Sequence, residues 1–173
     1  NGKDLTTRPR GVYVIDFGLR DEAEARTYPV LFDRVRDLLQ GERQANPRES
    51  YARYWWRFGE PRRELREALS GLPRYLGTPE VSKHRFFDFL DGSIAPDGAL
   101  VCVATGDAFH LGVLSSAIHT TWALAAGARM GIDGTPRYNK RACFEAFPFP
   151  EPPSTLRTQI ADLAERIDRH RKE

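Results

Sequence analysis

The chain has 173 residues, 40% of them hydrophobic and 29% charged, with a formal net charge of +2. That length and balance suit one folded domain with its own core and exclude a disordered polyelectrolyte. No run approaches the roughly 18 consecutive apolar residues of a membrane helix, so no membrane partner is expected. Cys102 and Cys143 match neither a disulfide framework nor a metal-ligand spacing. With no basic-then-apolar leader at its start, the chain reads as a reduced, cytoplasmic protein. Its first residues read as the middle of a longer one. Arg outnumbers Lys 22 to 4. Arg presents a planar fork to phosphates and guanine edges, although a G+C-rich genome raises Arg as well.

Residues 1–10 are polar and turn-forming, an expected entry loop. Residues 11–18, GVYVIDFG, alternate as a strand does. Asp21 before EAEAR is an N-cap signal. After Pro29, Leu31, Val35, Leu38 and Leu39 define one helical stripe, with Gly41 as its end. Residues 49–58 place Tyr51, Tyr54, Trp55 and Phe58 on one helical face, either docked in a core or interleaved with arginines to stack on bases. A short helix is expected over 61–72, then strands over 74–81, 82–90 and 99–104. Residues 107–127 read as one buried helix. A Gly-punctuated basic loop, GTPRYNK, follows it. Leu156, Ile160, Leu163 and Ile167 then repeat as the inward stripe of a final amphipathic helix capped by Ser154. Early helices, central strands and late helices make an α+β fold: a small mixed or antiparallel sheet packed with several helices, ending in a C-terminal amphipathic helix.

A catalytic centre is hard to find. Ser115 and His119 stand one helical turn apart, but no orienting carboxylate and no G-x-S-x-G elbow accompanies them. Pro96-Asp97 lacks the downstream acidic-x-Lys element of a nuclease, and Glu80 and Lys83 precede it at the wrong spacing. No Gly-rich phosphate loop is present.

Four segments in order carry a resemblance: NGKDLTTRPRGVYVIDFG, RESYARYWWRFGEPRRELREALSGLPRYLGTPEVSKHRFF, FHLGVLSSAIHTTWALAAG and PRYNKRACFEAFPFPEP. The chain resembles the region downstream of the catalytic domain in MmeI-like type IIL restriction-modification enzymes and related adenine-specific DNA methyltransferases. The resemblance covers essentially the whole chain. It implies a DNA target recognition domain over 1–153 and the start of a C-terminal helical segment over 154–173. It also implies double-stranded DNA as partner, together with a methyltransferase catalytic domain in the same parent chain. S-adenosylmethionine would serve that parent, with no cofactor in this fragment, and a nuclease can precede the methyltransferase. By the same match Thr135 and Arg137 occupy base-contact positions, with Tyr138 and Asn139 adjacent to them. Family members often carry an acidic residue where Thr135 stands. Lys140 and Arg141 are expected on the DNA backbone. Lys83 and Arg85 face DNA or cap a sheet edge, and Arg8 and Arg10 would join the positive wall of a cleft. The competing expectation is a protein interaction module that docks a partner through its aromatic clusters and last helix.

Overall fold

The computed structural model describes residues 2–7 and 10–173. They form two compact units, residues 11–67 and the remainder.

In the smaller unit, Asp21 and Glu24 form a reciprocal capping box that starts α2 (Glu22–Arg26), as the sequence indicated. Helix α3 (Pro29–Gln44) runs through the expected stop at Gly41, because an exposed helical glycine costs only about 1 kcal/mol. Its inward face is Phe32, Val35 and half-buried Leu39; Leu31 and Leu38 are exposed. The aromatic face expected over 49–58 is also corrected. Helix α4 (Glu49–Arg53) is one turn long. The chain then turns, burying Trp55 and Trp56 and leaving Tyr54 and Phe58 exposed. Trp55 meets Phe32 edge-on at 5.2 Å, and Trp56 Nε1 donates to Arg20 O at 3.1 Å. Residues 11–14 form no strand. They are exposed, since β propensity without a neighbouring strand supplies no ladder. Helix α5 (Arg63–Leu69) carries the chain into the larger unit.

The larger unit opens with α1 (Gly2–Thr6), a helical turn where a loop was expected. Thr6 and Thr7 hydroxyls donate to the carbonyls of Gly2 and Lys3 and stabilise it. Its sheet is antiparallel, with β1 (Arg74–Pro79) between β2 (Asp88–Asp91) and β3 (Leu100–Val103). Tyr75 to Pro79 are all buried, as a central strand requires. Glu80 N–H donates to Ala99 O at 2.8 Å, so alternation turns the Pro79 nitrogen to the opposite side, where β2 pairing ends at Gly77. Proline therefore interrupts no ladder. The strand expected over 82–90 is confined to β2. Ahead of β2, Ser82 Oγ donates to His84 O, and Phe86 O accepts from Thr78 Oγ1 at 2.6 Å.

The expected single helix over 107–127 is two: α6 (Ala108–Leu114) and α7 (Ala117–Ala126). Ser116 breaks it by capping α7, its hydroxyl accepting from His119 N at 3.1 Å. The basic loop is an antiparallel hairpin, β4 (Ala128–Met130) with β5 (Thr135–Arg137). Gly131 and Gly134, at φ 72° and 61°, supply the left-handed positions its turn requires. A π-helical turn, Lys140–Glu145, follows, and α8 (Ser154–Lys172) closes the chain. The inward face of α8 is Ile160, Ala161, Ala164 and Asp168. Leu156, Leu163 and Ile167 are exposed, contrary to the expected stripe. Small residues decide this. Gly112 admits Ile160 so closely that a Cβ there would lie 2.6 Å from its Cγ2.

Candidate nucleic-acid interface

The hairpin stands on a buried polar scaffold. His119 is fully buried on α7, with Nδ1 2.9 Å from Leu114 O and Nε2 3.1 Å from the Tyr138 hydroxyl. Burial pushes its pKa below the usual imidazole range, so the neutral ring is favoured. Nε2 also lies 3.3 Å from Cys143 O; the assignment that serves the two shorter contacts puts the proton on Nδ1, donating to Leu114 O, and lets Nε2 accept from Tyr138. His119 is thereby committed to structure. Ser115 lies at the C-terminal cap of α6, and its buried hydroxyl has no partner among the described residues. The pair is not an acid-base couple. Phe147 meets His119 edge-on at 4.7 Å, and Trp122 Nε1 donates to Ala142 O at 3.2 Å. Among the described residues no cluster of three metal-ligating side chains exists, and no helix is long and apolar enough to cross a membrane.

In front of this scaffold the strands converge. Tyr138 N donates to Glu80 O at 2.7 Å, Val81 pairs with Arg137, and Ser82 N donates to Pro136 O at 3.2 Å. The exit of β1 is thus stitched to the end of β5. Across this seam Arg137 donates from Nε and NH2 to Glu80 Oε1, at 2.8 and 2.6 Å. Glu80 occupies one edge of the guanidinium and leaves the NH1–NH2 edge open.

The expected site residues separate into three groups. Arg137, Lys140, Arg141 and Lys83 are exposed, and Thr135 is half-buried at the start of β5. No carboxylate among the described residues pairs with Lys83, Lys140 or Arg141. The second group is turned inward. Tyr138 is 2% exposed, with its ring against Phe87 and its hydroxyl on His119, so it backs the hairpin and offers no edge to a groove. Arg85 is half-buried, its guanidinium bonded to backbone and to Thr78. A phosphate would have to displace those bonds. The third group is engaged at the surface. Asn139 caps the π-turn, its Oδ1 accepting from Arg141 N at 3.0 Å. Arg10 forks onto Asp4 at 2.7 and 2.9 Å and holds that carboxyl well below the usual range. Arg8 lies outside the described residues.

Two contributors were missed in the sequence. Glu80, weighed only as a nuclease carboxylate, is the partner of Arg137. Arg129 is exposed on β4 and braces the turn by donating to Gly134 O at 3.0 Å. The GARMGIDGT spacing, with two glycines around a two-residue tip, was the available signal for the hairpin.

Fold and site together define an α+β domain whose buried polar scaffold holds out a cationic hairpin. The chain belongs to the MmeI target recognition domain family, whose model matches residues 11–151. Among solved structures it is similar to that of the type IIL restriction-modification enzyme MmeI in complex with DNA, with a TM-score of 0.69 and 21% identity. That match covers 91% of this chain and 21% of the other, so the chain spans about a fifth of the enzyme's length. At this identity the likeness is one of fold. Among curated proteins none matches the chain in sequence.

Proposed function

We propose that this chain is the DNA sequence-reading domain of a restriction-modification enzyme, with Arg137 as its principal base contact. One observation carries the reading: Arg137 stands at the end of an exposed hairpin with one guanidinium edge fixed by Glu80 and the other open. An open edge of that kind matches the O6 and N7 acceptors of guanine in the major groove. Thr135 and Asn139 flank it, and Lys140, Arg141 and Lys83 supply exposed charge for phosphates, which fix register without reading sequence. The recognition domain proper is residues 1–153, and 154–173 begin a helical segment.

The parent enzyme in this reading is an adenine-specific methyltransferase of the cytoplasm. It uses S-adenosylmethionine bound by a catalytic domain elsewhere in the same chain, where the target base is flipped. A second reading, docking of a partner, is favoured by the exposed Leu156, Leu163 and Ile167 on α8. Its aromatic half is weaker, because Trp55, Trp56 and Phe147 are core residues.

Fluorescence anisotropy of the chain with duplex DNA at 50 and 200 mM salt tests the proposal. Binding that weakens steeply between the two is expected from phosphate contacts. No binding at the lower salt contradicts it.

A further inference from the structure

We propose that Arg85 is a positioning residue for Arg137, a clamp that fixes the reading edge without itself touching DNA. The proposal rests on the reading of Arg137 as the base contact. Arg85 NH1 donates to Thr78 Oγ1 at 2.8 Å and also to Pro79 O, and NH2 lies 3.5 Å from Glu80 O. One guanidinium therefore grips three successive residues at the exit of β1. Its Cζ also lies over the Tyr138 ring, 5.0 Å from the centroid. Residues 80 and 138 are the two sides of the seam that holds Arg137, joined by Tyr138 N donating to Glu80 O. Arg85 touches both.

Its chemistry suits this task. Among the described residues no carboxylate pairs with Arg85, and burial lowers its pKa, so carbonyls, a hydroxyl and an aromatic face are what hold its charge. A charge placed there to attract phosphate would gain more from exposure. A planar fork with five fixed donors satisfies several acceptors and a ring at once, which an ammonium on a flexible stem does not. Thr78 extends the grip, since the hydroxyl that accepts from Arg85 donates to Phe86 O. The loop that carries Arg85 is thus tied back onto the strand that Arg85 clamps.

The test uses the full-length protein, with bound duplexes selected from a pool of randomised sequence. Arg137→Ala serves as the reference and identifies the base position that Arg137 reads. Arg85→Lys and Arg85→Gln should both reduce preference at that same position by at least about fivefold, the lower end of what one bidentate base contact supplies. The salt dependence of binding should stay unchanged in both. A direct phosphate contact behaves differently: Lys would restore wild-type preference, and Gln would lower the salt slope by about one. Either of those results overturns the clamp, as does unchanged preference in both variants. If Arg137→Ala itself changes no position, the reading of Arg137 has failed and the clamp with it. Melting curves check that the variants fold. Should neither fold, Thr78→Val removes one acceptor of the clamp, and unchanged preference at the Arg137 position in that variant overturns the proposal.

Discussion

Replacing Tyr138 with Phe separates two roles for a residue that the sequence placed among the base readers. Phe keeps the ring that packs 5.4 Å from Phe87 and 5.0 Å from the Arg85 guanidinium. It loses the hydroxyl 3.1 Å from His119 Nε2; the neutral ring can then donate to only one of the carbonyls of Leu114 and Cys143, and its other buried nitrogen is left without a donor. Stranding a buried polar group costs about 1–3 kcal/mol. For a chain of this length roughly 2 kcal/mol corresponds to a fall in melting temperature of about 4–8 °C. Thermal and urea denaturation at pH 8, followed by circular dichroism, measure it, with the urea midpoint falling and the slope unchanged. Base preference should stay as in the wild type, because the hairpin keeps its backing ring. Unchanged stability combined with altered base preference would refute the reasoning, since it would mean that Tyr138 turns outward to the DNA.

The buried imidazole makes stability depend on pH. The folded pKa of His119 is depressed, so the unfolded chain takes up a proton near pH 6.5 before the folded one does. Stability should be full above that pH and decline below it, by at most about 1.4 kcal/mol per unit, until the folded pKa is reached. Urea midpoints from pH 8 to 5 report it, and His119→Gln should flatten the profile. At the α6–α8 contact, Gly112→Ala places a methyl group 2.6 Å from Ile160 Cγ2 and 3.1 Å from its carbonyl oxygen. Such overpacking costs about 1–3 kcal/mol, readable in a thermal melt. Replacing Lys140 and Arg141 together with Gln should lower the salt slope of DNA binding by up to about two and leave sequence preference intact.

Much of the local structure was legible in the sequence because it depends on local chemistry. The Asp21 cap and the apolar β3 each follow from a few adjacent residues. The errors arose where a partner decides. Residues 11–14 have strand chemistry but no neighbouring strand. The inward face of α8 was misjudged because Gly112 and Ala164 allow close approach, which selects the small residues over the larger Leu163 and Ile167. Ser115 and Ser116 sit in an apolar run that suits a continuous helix, and only the bond from His119 N to Ser116 Oγ marks the break. At the site, Arg137 was found by resemblance, whereas Glu80 lies 57 residues away in sequence and no local pattern links the two. Arg85 and Lys83 look equivalent in the sequence, yet one is turned inward onto carbonyls and the other is exposed.

The central claim is that the hairpin reads sequence through Arg137. The most direct measurement is the set of sites bound by the full-length protein, compared between the wild type and Arg137→Ala. Loss of preference at one base position by about 1–3 kcal/mol, with every other position retained, is the expected result. An unchanged set of sites, or a uniform loss of affinity across all sequences, would contradict it.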